Sequence, residues 1–439
     1  MLPSNRTYAL LILGGVIAVL LASLWQEETR LSAVISLLIL FDGIVFGLLI
    51  WDGWQGRTQR VEVIRKPLQR LSIGRDNPVI LTLRSHQHSA ELLIRDNYPT
   101  EFTASATTLR ATVPAKSTQE VSYTVHPANR GVFDWGDLHI RQLTPWRLGW
   151  QDWKVDQKQS VAVYPDLIGL RALSIRLTLQ STGTMKQARR MGMGTEFAEL
   201  RDYNTGDDPR LIDWKATARR NRPLLRVLEP EQEQTLIILL DQGRLMTARV
   251  KGLTRFDWGL NATLSLALAG LNRGDRVGVG VFDRQMNLWI PPERGQNQLF
   301  KLVERLTPLQ PAILEPDYLG AVTTLVNQQT RRALVVLITD LVDVTASTEL
   351  LAALGRLTPR YLPFCVTLRD PQIDRQAYNQ TEEIAATYAR AVALDLLAQR
   401  QAAFADLKRK GVLVLDAPAN QITEQLVDRY LQLKSRNQL

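Results

Sequence analysis

Two uncharged stretches near the amino terminus restrict this chain more than anything that follows them. Tyr8 to Trp25 carries no charge and Ala33 to Trp51 carries only Asp42, and each is close to the ~20 residues a helix needs to cross the hydrocarbon core of a bilayer. Residues 1–56 are therefore expected to form a two-helix membrane hairpin, with Gln26 to Ser32 as its tight connection. Arg6 precedes the first stretch, and Arg57, Arg60, Arg65, Lys66, Arg70 and Arg75 follow the second against Glu62 alone. The positive-inside rule then places both ends, and the domains after them, in the cytoplasm of a cell with this inner or plasma membrane. The basic run is a juxtamembrane pattern; without an aromatic-interleaved basic stripe, no nucleic-acid partner is expected. A cleaved signal is disfavoured, because the first stretch leads straight into another span. Asp42 is expensive in lipid and is expected to face the first helix or a partner. Trp25, Trp51 and Trp54 suit the interface.

A chain of 439 residues is enough for two or three domains, and the balance of 45% hydrophobic and 22% charged residues is that of a globular chain. The single cysteine, Cys365, sits in an apolar run, where a buried structural thiol is the expected state. Residues 57–165 read as a β-rich module. Pro78 to Leu83, Ala90 to Ile94, Gln119 to Val125 and Ser160 to Tyr164 are short apolar or alternating runs between turn formers, at the spacing of an antiparallel immunoglobulin-like β-sandwich. His86 and His88 alternate as strand residues do, but no third ligand stands nearby, so exposed turn positions are expected.

Residues 234–439 read as a doubly wound α/β domain. Strands are expected at Leu236 to Leu240, Val277 to Phe282, Leu334 to Ile338, Leu362 to Leu368 and Val412 to Leu415, with Gln285 to Ile290 as an antiparallel edge. Helices are expected at Phe256 to Asn272, Gln296 to Leu306, Asp317 to Gln329, Ser347 to Leu357, Thr381 to Lys410 and Gln421 to Lys434. In such sheets function sits at the carboxyl ends of the strands, which supply Asp241, Asp283, Asp340 and Asp370.

Between these domains, residues 166–233 hold a segment whose composition answers to neither core packing nor ordinary solubility. From Gly192 to Arg226 it carries the acids Glu196, Glu199, Asp202, Asp207, Asp208 and Asp213 and the bases Arg201, Arg210, Lys215, Arg219, Arg220, Arg222 and Arg226, with Tyr203 and Trp214 among them. Asn204-Thr205-Gly206 is turn chemistry. Asp208-Pro209 looks like an N-cap followed by proline at the first helical position, opening one short helix from Pro209 to Arg220. Ile212, Ala216 and Arg219 would then share a face. Two readings stand: a buried salt-bridge knot clamping the junction of the two cytoplasmic domains, or a surface that docks a partner.

The string resembles the signature of the domain of unknown function family 58. Gly194 to Phe197, Arg201 with Tyr203, Gly206 to Arg210, and Ile212 to Arg219 carry the likeness, within which lie Glu196, Asp207, Asp208, Asp213, Trp214 and Lys215. Membership implies two membrane helices, a β-rich segment, this signature and a von Willebrand A-like domain, and commonly a MoxR-type AAA+ ATPase as partner in complex assembly. A von Willebrand A domain in turn implies a metal-ion-dependent adhesion site, to which Asp241 and Asp340 are similar as first and last ligands. Here Asp241 is followed by Gln242, Gly243, Arg244 and Leu245, so both hydroxyl ligands are missing and Arg244 adds positive charge. Pro316-Asp317 stands where a threonine belongs. That degenerate set leaves room for no more than a weakly held Mg²⁺, and otherwise Asp241 is expected to cap a helix or pair with Arg244. No phosphate loop, His-Glu-x-x-His, cysteine pair or Gly-x-Ser-x-Gly elbow is present. The expected function is a membrane-anchored interaction or scaffold protein with no cofactor and no catalytic residue. The alternative is a metal-assisted hydrolase built on the Asp-rich segment or on Asp241 and Asp340.

Overall fold

The computed structural model describes residues 2–24, 28–68, 70–166, 168–177, 196–204, 206–229, 234–341, 348–378 and 384–436. Trp25, Gln26, Glu27, Thr205, Ser347, Thr381 and the stretch Gly192 to Thr195, on all of which expectations rested, lie outside them. The chain divides into two compact units, Met1–Tyr164 and Pro165–Leu439.

The first unit opens with β1 (Leu2–Pro3), α1 (Asn5–Leu24) and α2 (Glu28–Thr58). Both helices are long and apolar enough to cross a membrane. They approach closely at Gly14, where an added Cβ would meet the Phe41 ring at 2.6 Å. Asp42 is half-buried, and its Oδ1 is buried without a hydrogen-bond partner.

The β strands follow as β2 (Glu62–Arg65), β3 (Leu71–Ser72), β4 (Asn77–Arg84), β5 (Ala90–Asp96), β6 (Phe102–Ala104) and β7 (Leu109–Val113). After them come β8 (Thr118–Pro127), β9 (Gly131–Trp135), β10 (Leu138–Leu143), β11 (Gly149–Val155) and β12 (Gln159–Tyr164). They form a five-stranded sheet β1-β11-β10-β5-β7, a four-stranded sheet β2-β4-β8-β6 and a three-stranded sheet β3-β12-β9. Pairing is antiparallel except between β12 and β3. Alternate residues such as Val79, Leu81 and Leu83, or Leu92 and Ile94, are fully buried, as the period of two in a strand requires. Asp96 of β5 ties the three sheets together, accepting hydrogen bonds from Tyr123 Oη of β8 (2.7 Å) and Trp135 Nε1 of β9 (2.9 Å) and pairing with Arg65 of β2 (3.2 Å). Burial pushes the Asp96 carboxyl above its ordinary range and the Arg65 guanidinium below its own, although each opposes the other's shift. His86 and His88 lie in an exposed bend between β4 and β5.

The sequence did not foretell how the helices join this module. β1, ahead of the first helix, pairs with β11 (Leu2↔Trp150, Pro3↔Gly149). Asp52, near the end of α2, is fully buried. Its carboxylate accepts from Thr144 Oγ1 (2.5 Å), the Trp146 amide (3.0 Å) and the Leu148 amide (3.2 Å), which caps the β10–β11 turn. At the start of the other helix, Ser4 Oγ, just ahead of α1, donates to the Arg147 carbonyl (2.5 Å) and Thr7 Oγ1 to that of Leu148. Trp51 meets Trp146 edge to face at 4.9 Å.

The second unit begins with α3 (residues 168–177), then a hairpin of β13 (Glu196–Asp202) and β14 (Leu224–Glu229) enclosing α4 (Trp214–Arg220). Its main body contains β15 (Thr235–Asp241), the short pair β16 (Arg249–Val250) and β17 (Leu253–Thr254), α5 (Arg255–Asn272), β18 (Arg276–Phe282), β19 (Met286–Glu293), α6 (Gln296–Leu306) and α7 (Tyr318–Gln328). It ends with β20 (Leu334–Thr339), α8 (Thr348–Leu357), β21 (Leu362–Arg369), α9 (Pro371–Ala377), α10 (Ile384–Arg409), β22 (Leu413–Pro418) and α11 (Ile422–Ser435).

The six-stranded sheet runs β19-β18-β15-β20-β21-β22, parallel throughout except for β19 at its edge. Helices cover both faces. Leu236, Ile238 and Leu240 of β15 pack with α5, α6 and α11, while Ile237 and Leu239 pack with α7, α8 and α10. Because both faces are dry, these strands read as unbroken apolar runs and not as alternation. Cys365 lies inside β21, where burial pushes its thiol up to about 12. The stretch after β21 adds a short α9, capped by Asp370, and α10 ends within a residue of the expected Lys410, while its expected start at Thr381 lies outside the described residues.

Candidate functional site

The charged signature folds as an excursion from the β13–β14 hairpin. The strands pair from Glu196↔Glu229 to Asp202↔Leu224, with a bulge between Phe197 and Glu199. Between them each acid is committed locally. Asp207 accepts from Arg201 Nη2 (2.6 Å) and the Asn204 amide (2.9 Å), closing the turn around Gly206, whose φ of +109° suits glycine. Asp208 caps a 3₁₀ turn over Pro209–Leu211 by accepting from the Arg210 amide. Asp213 caps α4, accepting from the Ala216 amide (3.0 Å), and pairs with Arg226 (2.8 Å). Asp202 pairs with Arg222 at 3.2 Å. The Arg201 guanidinium and the Asn204 amide hold the Asp207 carboxyl below the usual range; Arg226 and the Ala216 amide do the same for Asp213.

Two expectations fail here. The single helix Pro209 to Arg220 is broken at Ile212, whose backbone is extended (φ −66°, ψ 125°) because it bridges to Leu225; Asp213 then starts α4 afresh. Ile212 therefore shares no helical face with Ala216 and Arg219. Nor is the knot buried: the Arg222–Asp202 side chains are 56% and 58% exposed, and Arg226 is 51% exposed over Asp213. What remains open is the far side. Trp214 is 71% exposed. Arg210, Lys215, Arg219 and Arg220 are exposed around the same excursion, and none has a carboxylate partner among the described residues. Tyr203 Oη donates to the Asp207 carbonyl (3.4 Å). Glu196 lies in β13, and its side chain is outside the described set.

The second cluster lies where parallel strands end. Asp241, the last residue of β15, is fully buried. Its Oδ1 accepts from the Gly243 amide (2.7 Å), and its Oδ2 from Thr339 Oγ1 (2.6 Å) and Tyr318 Oη (3.1 Å). Burial pushes the Asp241 carboxyl up to about 6, against the pull of those hydrogen bonds and with a smaller push from Asp340. Burial and the neighbouring Asp241 raise Tyr318 as well. Asp340, just past β20, is held from two sides: Oδ1 accepts from the Leu341 amide (2.8 Å) and Arg400 Nη1 (2.9 Å), and Oδ2 pairs with Arg255 Nη1 (2.7 Å). Arg400 also pairs with Asp416 (2.8 Å), which pairs with Arg369 (2.7 Å), which reaches Asp374 (3.2 Å). Burial works against the Arg400 guanidinium, but Asp340 and Asp416 outweigh it and hold its pKa above the ordinary value.

Arg244 does not pair with Asp241; it points to Glu315 (2.7 Å) and is half-exposed. Asp317 caps α7, accepting from the Gly320 amide (2.7 Å), and Asp283 accepts from Asn287 (2.7 Å). Sequence reasoning missed Thr339, Tyr318, Arg255 and Arg400. Thr339 alone carried a signal, a hydroxyl beside Asp340 at a strand end. The donor set does not favour the weakly held Mg²⁺ for which the sequence left room. Every oxygen of Asp241 and Asp340 is engaged, and two guanidiniums stand within 2.9 Å of Asp340, so neither carboxylate keeps an oxygen open for the one or two contacts by which Mg²⁺ is commonly held. Among the described residues no group of three or more His, Cys, Asp or Glu could hold a metal.

Residues 199–376 match the family described as "Protein of unknown function DUF58". Uncharacterized proteins of Mycobacterium bovis and of Mycobacterium tuberculosis strain H37Rv are each 24% identical over 151 residues, 34% of this chain and 48% of theirs. The chain thus spans about half the length of the curated relatives it matches. Among solved structures, the conserved hypothetical protein BatB from Bacteroides thetaiotaomicron covers 46% of this chain and 99% of its own, at 12% identity and a TM-score of 0.33. An aerotolerance-related membrane protein from Bacteroides fragilis covers 45% and 99%, at 14% identity and 0.30.

Proposed function

We propose, for a chain whose residues 199–376 belong to the DUF58 family, that it is a membrane-anchored interaction or scaffold protein and not an enzyme. Its two N-terminal helices anchor it, with both termini and the folded units on the cytoplasmic side of the inner membrane, as the basic run after α2 supports. The β module serves as an immunoglobulin-like spacer and the α/β unit as a von Willebrand A-like presenting domain. The partner that the family resemblance implies is a MoxR-type AAA+ ATPase, with this chain as its adaptor in the assembly or maturation of protein complexes.

The observation that carries this reading is the state of the signature. Its aspartates Asp202, Asp207, Asp208 and Asp213 are engaged in caps, turns and ion pairs, while Trp214 and four arginine or lysine side chains face solvent with nothing in the described chain to engage them. Exposed tryptophan and arginine are the residue types that dominate binding energy at interfaces. The alternative of metal-assisted hydrolysis is less well supported, because Asp207 and Asp213 are each paired with an arginine and Asp208 is given to capping the turn that follows it. Capture from native membranes with the wild type, Trp214→Ala and Asp208→Ala decides the matter: the variants are expected to fold and to lose the ATPase or its client. Identical partner sets from folded wild type and variants would sink the docking role.

A further inference from the structure

We propose that Arg400, helped by Arg255, is the resident cation of the strand-end crevice, supplying to Asp340 and Asp416 the positive charge that a divalent ion would otherwise bring. The order of strands makes the role specific. β20 and β22 are separated by β21, yet Asp340 follows the first and Asp416 lies in the third. One guanidinium reaches both, with Nη1 on Asp340 (2.9 Å) and Nη2 on Asp416 (2.8 Å), and Nη1 also donates to the Leu341 carbonyl. A planar fork with several donors spans two carboxylates in this way; an ammonium on the same stem is a single point charge. The Arg400 and Asp340 side chains are 5% and 3% exposed, so the pair is dry, and the alkyl stem rides on α10, which is seated against the sheet through Ala403, Phe404 and Leu407.

Arg255 completes the arrangement. It is the first residue of α5, and its Nη1 takes the remaining oxygen of Asp340 at 2.7 Å. A hard cation between Asp241 and Asp340 would have to displace a guanidinium that is already desolvated and hydrogen-bonded. The crevice is therefore assembled without metal, and the seating of α10 takes the place of ion binding in fixing its edge.

Two measurements on the full chain in detergent test this. Titration of the wild type with MgCl₂ and MnCl₂ is expected to give no binding heat and no change in the melting of the α/β unit relative to EDTA. A saturable site with Kd below about 100 μM, or a cation-dependent rise of more than about 3 °C in Tm that EDTA abolishes, overturns the proposal. The second is a double-mutant cycle of Arg400→Met with Asp340→Asn. Arg400→Met and Asp340→Asn are each expected to lower Tm, and the double variant to lose less than the sum of the two, since the contact they share is then removed only once. Losses that simply add would show that Arg400 does not neutralise Asp340. Should Arg400→Met fail to fold, the wild-type titration still decides.

Discussion

The hairpin excursion and the strand-end crevice are built from the same residues, aspartate against arginine, and differ in water. In the crevice the Asp340–Arg400 pair is dry; in the hairpin the Asp202–Arg222 pair is more than half exposed on both sides. Exposed pairs contribute little to stability, because water and salt screen them, whereas a dry pair that loses one member leaves a charge with nothing to answer it. Equal chemistry thus yields a bolt in one place and a display surface in the other. It follows that substitutions should act mainly on stability in the crevice and mainly on association in the hairpin.

The largest effect is expected for Asp340→Ala, which strips both Arg400 and Arg255 of a partner. Urea unfolding of the α/β unit should register a loss of about 3–5 kcal/mol, and a loss no greater than that of an exposed pair would erase the contrast between the regions. Next comes acid–base behaviour, in which the two regions should move in opposite directions. The folded pKa of Asp241 is raised to about 6, so the folded state holds its proton longer than the unfolded chain. Its contribution is full below about pH 4 and fades as pH climbs through 6, by about 3 kcal/mol in all. Measured against Asp241→Asn, the wild type should lose relative stability over that window. Asp207 and Asp213 have lowered folded values, so their smaller contributions should be present above about pH 4 and vanish on acidification. A wild type whose advantage over Asp241→Asn grows with pH would contradict the crevice geometry.

Within the hairpin, Asp213→Ala should remove the cap of α4 and release the Ala216 amide. Hydrogen exchange at Ala216 to Arg220 should speed up while global unfolding moves less than for Asp340→Ala. Trp214→Ala should have the smallest effect on stability, within about 0.5 kcal/mol, and the largest on partner capture. A marked loss of stability there would mean that the indole serves the fold.

How far the sequence announced these regions follows from the same distinction. Parallel strands buried on both faces leave apolar runs, so β15, β18, β20 and β21 could be placed within a residue or two. The Asp208-Pro209 cap was legible because both residues act on their immediate neighbours. The break at Ile212 was not, since it depends on a bridge to Leu225 and on Asp213 preferring to cap. Arg400 was hidden for a stronger reason: in Ala-Gln-Arg-Gln-Ala-Ala-Phe a buried arginine looks like any solvated helical one. Its partners stand 60 and 16 residues away and meet it only after the sheet has closed. Asp52 was equally silent, its acceptor role being defined by a turn 92 residues later.

That turn has a mechanical meaning. Asp52 grips it from the end of α2, and Ser4 and Thr7 grip it from the start of α1, so both helices are stitched to the same five residues, Thr144 to Leu148. A force that tilts or separates the helices is therefore delivered to the β10–β11 ribbon through its turn. The helical pair is then a handle fixed to the β module from both helices, where a swivelling tether would absorb the same force.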